Sequence, residues 1–92
     1  MNKAELIAGV AKKSDMTKKA AGEAVEAVFA TISEALSREE KVTIVGFGTF
    51  EVRDRKERKG VNPATKEPIL IPATKVPAFR PGKSLREAVA PK

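Results

Sequence analysis

Cysteine and histidine are both absent from the 92-residue chain. Without cysteine there is no disulfide framework, thiol nucleophile or cysteine-based zinc site, and without histidine the commonest acid–base group and metal ligand is missing. Long apolar runs are missing too, and Met1-Asn2-Lys3-Ala4-Glu5 lacks the hydrophobic stretch of a signal peptide. We therefore expect a soluble, intracellular chain that uses no cofactor, metal or membrane. An enzyme would have to work with Glu39-Glu40, Ser14, Ser84 and the lysines. Adjacent carboxylates between a helix and a strand are usually solvated, the serines read as cap or turn residues, and no glycine-rich phosphate loop or metal cluster accompanies them. No catalytic residue is assigned.

What the chain does carry is positive charge: 18 Lys and Arg against 12 Asp and Glu, a formal +6. That balance favours anionic partners, nucleic acid or acidic lipid. Its distribution is uneven, because residues 1–40 hold 6 basic and 7 acidic side chains while residues 41–92 hold 12 and 5, giving −1 and +7. The length suits one domain. A chain this short buries only about 60–65% of its unfolded surface, and a projecting segment lowers that further, so a second subunit is a natural way to complete the core.

Asn2, with Glu5 three residues on, forms a capping-box pattern that opens a helix with Leu6, Ile7 and Val10 as its apolar stripe. Lys12 and Lys13 suit the negative end of its dipole, and Ser14-Asp15 breaks it. Thr17 then caps a second helix, in which Ala21, Val25, Val28, Phe29, Ile32 and Leu36 recur every three or four residues. At 1.5 Å per residue the span to Leu36 is roughly 30 Å, suited to pairing with a symmetry mate, although an ordinary core helix gives the same stripe. Arg38-Glu39-Glu40 lacks the glycine expected after a helix, so that connection is expected to end differently.

From Lys41 the period changes to two: Val42 and Ile44, then Gly46-Phe47-Gly48, then Phe50 and Val52. The pattern predicts strand, tight turn, strand, with both glycines allowing backbone angles that other residues resist and the Phe47 ring pointing into a core. Arg53 to Lys66 contains almost nothing able to fill a core, so it is expected to project as a hairpin with its tip near Asn62-Pro63. Ile69, Leu70 and Ile71 lead back through Pro72, Pro77 and Phe79, and prolines this frequent confine the return strand to an edge. Pro81-Gly82 ends it, Ser84 to Val89 reads as a short helix, and Pro91 stops that helix.

Between positions 53 and 86 stand ten basic residues, Arg53, Arg55, Lys56, Arg58, Lys59, Lys66, Lys75, Arg80, Lys83 and Arg86, opposed there only by Asp54, Glu57 and Glu67. In one continuous extended strand Arg53, Arg55 and Glu57 share a face while Asp54, Lys56 and Arg58 share the other, presenting cations on both sides. Charges and prolines also protect a strand edge from aggregation. A two-stranded ribbon is marginal alone, however, so a long apolar-poor arm implies a partner that orders it. From Val52 to Pro63 it spans roughly 35 Å, enough to follow a groove. Asn62-Pro63 alone marks only a turn, but at the end of a basic ribbon its rigid ring is suited to wedge between base steps. The positive charge follows a ribbon and not an amphipathic helix, which disfavours a membrane surface.

The order Gly46-Phe47, Phe50, Arg55, Arg58, Gly60, Asn62-Pro63, Thr65 resembles the signature of the HU and integration host factor family of bacterial histone-like proteins. The likeness runs over essentially the whole chain, from Met1-Asn2-Lys3 and Glu5-Leu6 through Val45-Gly46-Phe47-Gly48 to Ile71-Pro72-Ala73 and Pro77-Ala78-Phe79-Arg80-Pro81-Gly82-Lys83. It implies an α+β fold: two N-terminal helices, a three-stranded antiparallel sheet with a long protruding β-hairpin arm, and a short C-terminal helix, in an intertwined homodimer. Residues 1–92 would form one domain, with a helical dimerisation part at 1–40, a sheet at 41–82 whose arm covers about 53–75, and a helix and tail at 83–92. Val25, Phe29, Ile32, Leu36, Ile44, Phe47, Phe50 and Phe79 would fill the shared core.

Carried over by position, the resemblance makes Arg53, Arg55, Lys56, Arg58 and Lys59 arm contacts to DNA, Val61, Asn62, Pro63 and Lys66 the tip with Pro63 intercalating, and Lys75, Arg80, Lys83 and Arg86 saddle or flank contacts. Lys3 would touch flanking DNA. The implied function is that of the family, minor-groove binding and bending of double-stranded DNA with little sequence preference, in nucleoid architecture. Site-preferring bending of the integration host factor type and RNA binding are the alternatives. Two positions depart from the pattern: Val61 stands where many members have Arg, and Lys66 where Gly often completes the tip turn and accepts the left-handed conformation more easily.

Overall fold

The computed structural model describes residues 1–90, so Pro91 lies outside the described residues. Two units are formed, Met1–Glu34 and the chain from Ala35 onward. In the first, α1 (Lys3–Ser14) starts where the Asn2 side chain accepts the Glu5 amide at 2.9 Å, and it ends on Asp15 in the left-handed region. The helix α2 (Lys18–Ser37) begins under the Thr17 hydroxyl, which accepts the Ala20 amide at 3.1 Å. Gly22 lies against Ile7, where a Cβ would be in ordinary contact, and Ala11, Ala21 and Val25 are buried.

The end of α2 corrects the expectation that the missing glycine would change the connection. Glu39 adopts φ 60°, the Glu39 amide donates to the Leu36 carbonyl at 2.9 Å, and the Glu40 amide donates to that of Ala35 at 2.8 Å. This is the same paired closure that a glycine ordinarily provides, here made by a residue that strains to adopt it.

In the second unit β1 (Val42–Ile44), β2 (Gly48–Arg55) and β5 (Thr74–Pro81) form an antiparallel sheet in the order β1-β2-β5. The proline-bearing β5 is an edge strand, as its missing donors require. A separate pair, β3 (Arg58–Val61) with β4 (Pro68–Ile71), forms the outer arm. The arm is therefore not one continuous ribbon: pairing stops after Arg55↔Thr74 and resumes at Arg58↔Ile71. Two residues lie on each side of the gap, Lys56-Glu57 and Pro72-Ala73, and Pro72 has no amide to offer a ladder. Because the gap is equal on both strands, the register is conserved from Gly48↔Pro81 out to Val61↔Pro68.

The β1–β2 turn uses its glycines differently from the expectation. Only Gly46 has a left-handed backbone, at φ 86°. Gly48 is required for space, since a Cβ there would lie 2.6 Å from both the Arg80 carbonyl oxygen and the Phe79 ring. The last element, α3 (Lys83–Val89), follows Gly82 as its N-cap; Ser84 lies within the first turn and is not the cap.

Burial within the single chain is slight. Among the described residues the buried apolar side chains are only Ala11, Ala21, Val25 and Ala35. Of the expected shared core, Ile32, Leu36 and Phe50 are half-buried, while Phe29 (49% exposed), Phe47 (44%), Ile44 and Phe79 remain open.

Two substitutions test these local arguments. Gly48→Ala should destabilise the fold by about 1–3 kcal/mol, because the added methyl overpacks a backbone carbonyl and a ring; the denaturant midpoint should fall at constant slope. Glu39→Gly should stabilise it by about 0.5–1 kcal/mol, the left-handed penalty exceeding the entropy cost of glycine. A midpoint unchanged or lowered at fixed protein concentration would contradict the strain assigned to Glu39.

Candidate nucleic-acid interface

Alternation along β2 sorts its side chains between two faces. Phe50 and Val52 share one with Val42 and Phe79, their cross-strand neighbours in the register. The Phe79 ring lies 4.8 Å from Phe50 and 5.4 Å from Phe47, both tilted, so three of the four phenylalanines form one cluster. The opposite face carries Thr49, Glu51 and Arg53 from β2 with Arg80 and Ala78 from β5. It carries two arginines against one carboxylate, a net charge of +1.

Glu51 organises that face. Its Oε2 accepts from Arg53 Nε at 2.9 Å, and its Oε1 pairs with Arg80 Nε at 3.2 Å. The hydrogen bond from Arg53 is the main cause that holds the Glu51 carboxyl below the usual carboxylate range; partial desolvation opposes it, and the charges of Arg80, Arg53 and Lys41 add to it. A second cluster lies where the arm leaves the sheet. Lys75 Nζ donates to Asp54 Oδ1 at 2.7 Å and pairs with Glu39 Oε1 at 2.8 Å, so its ammonium is held well above the ordinary lysine range, by Asp54 first and Glu39 second. In the N-terminal unit Lys3 is paired with Glu26.

Farther out the pattern changes. Arg55, Lys56, Arg58, Lys59 and Lys66 are all exposed, and among the described residues none is ion-paired to a carboxylate. The same is true of Lys83 and Arg86 on α3. The cations expected from the sequence thus divide into an inner group held by carboxylates, Arg53, Lys75 and Arg80, and an outer group on the arm that is unpaired.

At the tip the Asn62 amide donates to the Glu67 carbonyl at 2.9 Å, which continues the register, and the Lys66 amide donates to the Asn62 carbonyl at 2.6 Å. The Asn62 side chain accepts the Ala64 amide at 2.9 Å, and the Thr65 hydroxyl accepts that of Glu67 at 3.3 Å. Pro63 therefore opens a four-residue loop, where its fixed φ suits the turn, and it is exposed. Lys66 adopts φ 61°, correcting the expectation that a non-glycine residue there would resist the left-handed conformation. Val61 is exposed and opposite Pro68.

Glu51, Asp54 and Glu39 were not among the interface residues expected from the sequence. The spacing of Glu51 and Arg53 by two, on a strand, was the available signal for one pair. The pairings with Arg80 and Lys75 needed the cross-strand register. Among the described residues no helix is long and apolar enough to cross a membrane, and no group of three or more acidic, His or Cys residues is placed to hold a metal ion.

The profile of the family described as bacterial DNA-binding protein matches residues 1–90. The SPbeta prophage-derived DNA-binding protein HU 2 of Bacillus subtilis is 62% identical over 92 residues, all of both chains. The DNA-binding protein HU of Staphylococcus aureus is 57% identical over 89 residues, 97% of this chain and 99% of the relative. Among solved structures, the HU of an Anabaena HU–DNA cocrystal superposes with a TM-score of 0.97 at 55% identity, covering 100% of each chain. With the helices, split arm and exposed cations all falling within these full-length matches, the chain belongs to the bacterial DNA-binding protein family, in its HU group.

Proposed function

We propose that this chain is a non-enzymatic, histone-like architectural protein: a homodimer that binds, wraps and bends double-stranded DNA through its arms. The observation that carries the reading is the outer arm, whose exposed cations Arg55, Lys56, Arg58, Lys59 and Lys66 have no ion-paired carboxylate among the described residues. A polyanion with one charge per about 1.7 Å of axis is the partner that such a ribbon matches. The Anabaena relative was cocrystallised with DNA, which supports the same partner here.

The whole chain acts as one functional unit, with residues 1–40 supplying dimerisation, 41–82 the sheet and arm, and 83–92 the terminal segment. Dimerisation covers Phe29, Ile44, Phe47 and Phe79, which a single chain leaves open. The dimer carries a formal +12, twice the +6 of one chain.

In this reading the arm contacts phosphates and the minor groove, Pro63 beside Asn62 and Val61 enters a base step, and Arg53, Lys75, Arg80, Lys83, Arg86 and Lys3 meet the flanking duplex. Bending a short site costs on the order of 1–6 kcal/mol, offset by the contacts it adds. Bent, nicked or flexible duplexes bind best because less deformation remains to be supplied. The setting is the cytoplasmic nucleoid, where such binding compacts DNA.

Duplex affinity should fall linearly on a log–log salt plot, with a slope of about −0.9 per phosphate contact, and Arg58→Ala should reduce its magnitude by about one per arm. Anisotropy titrations beside sedimentation read both the slope and the subunit count. Affinity indifferent to salt, or a monomer that binds as tightly, would end the proposal. Pro63→Ala should lower the bend angle, read by end-to-end energy transfer, more than it lowers affinity. Loss of affinity with an unchanged bend would remove the wedge.

A further inference from the structure

The carboxylate of Glu51 stands inside the cationic face that the duplex reading assigns to DNA, where an acidic group is at first sight a defect. Its side chain is only 15% exposed, while those of Arg53 and Arg80 are 55% and 57% exposed. Each of its two oxygens meets one arginine, and each arginine is met at Nε. That contact leaves the end-on edge of both guanidinium groups, Nη1 with Nη2, open to a further acceptor.

The placement follows from the sheet. Arg53 lies two residues along the same strand, and Arg80 lies two residues beyond Ala78, the cross-strand partner of Glu51. Both positions are on the same face and within reach of long side chains. The small side chain of Ala78 directly opposite leaves the carboxylate room to reach diagonally. Without Glu51, two flexible guanidinium groups of like charge on neighbouring strands would repel and sample many rotamers, and binding phosphate would have to order both.

Resting on the duplex reading above, we propose that Glu51 is a positioning residue, a recessed carboxylate that fixes Arg53 and Arg80 side by side as a two-pronged clamp for the phosphate backbone. The triad keeps a net charge of +1 and gives up one unit of attraction in exchange for orientation. Glu51 itself touches no DNA in this arrangement.

The sign of one substitution separates this role from that of a simple opposing charge. Glu51→Ala raises the charge of the protein by one, so electrostatics alone predicts tighter duplex binding and a steeper salt slope. Loss of positioning predicts the reverse, affinity reduced about three- to tenfold at moderate salt. The double-mutant cycle should also couple: Arg80→Ala should cost less in the Glu51→Ala background than in the native one. Glu51→Gln, which keeps the shape and one acceptor, should show a smaller loss than Ala, and it replaces Ala if thermal unfolding finds that variant unfolded.

The measurement is anisotropy with a fluorescent 30-base-pair duplex across a salt series, on the full chain. Affinity unchanged or raised in Glu51→Ala or Glu51→Gln, or losses that are additive with Arg80→Ala, overturns the assignment to Glu51 while the duplex reading stands. No binding by the native protein ends both.

Discussion

The alternation of side chains along β2 is the constraint on which most of this molecule depends. One strand of eight residues must serve an aromatic layer on one side and a charged surface on the other. Phe50 and Val52 face the first, and Thr49, Glu51 and Arg53 the second. Gly48 sits at the start of that strand because the Phe79 ring and the Arg80 carbonyl already occupy the space of a Cβ. The aromatic layer is then too thin to be closed by one chain, which is why a ring such as Phe47 touches Phe79 and still remains open. In the proposed reading, dimerisation and DNA binding use opposite faces of this single strand.

The cations differ in kind as well as in position. Near the sheet they are held by carboxylates, Arg53 and Arg80 by Glu51 and Lys75 by Asp54 and Glu39. Exposed ion pairs contribute little to stability, so their consequence is chiefly geometric: they set where a guanidinium or ammonium group rests before a partner arrives. Toward the tip the cationic side chains have no such carboxylate partner among the described residues. The surface therefore joins an inner patch whose cations are held in place to an outer ribbon whose cations are not.

Much of this was legible in the sequence. Asn2 and Thr17 announced both helix starts, period-two alternation from Val42 located β1 and β2, and the prolines placed β5 at an edge. The tip at Asn62-Pro63 followed from the lack of apolar residues around it. Less legible was the gap at Lys56-Glu57, because nothing in those two residues forbids a strand; the constraint lies across the hairpin, at Pro72. Glu39 and Lys66 also misled, since hydrogen bonds that close a turn outweigh a left-handed penalty of about 1–2 kcal/mol. The carboxylate partners were hidden for a third reason: only the cross-strand register brings Lys75 to Asp54.

The even gap in the arm has a consequence for how its length can vary. With two residues omitted from pairing on each strand, the distal ladder keeps the phase of the proximal one. Deleting a single residue from one strand alone would exchange the inward and outward neighbours of everything beyond it, putting Lys59 and Val61 where Arg58 and Gly60 now stand. A change in the length of this hairpin that keeps each side chain on its present face must therefore be made in matched steps on both strands, or within the loop that begins at Pro63.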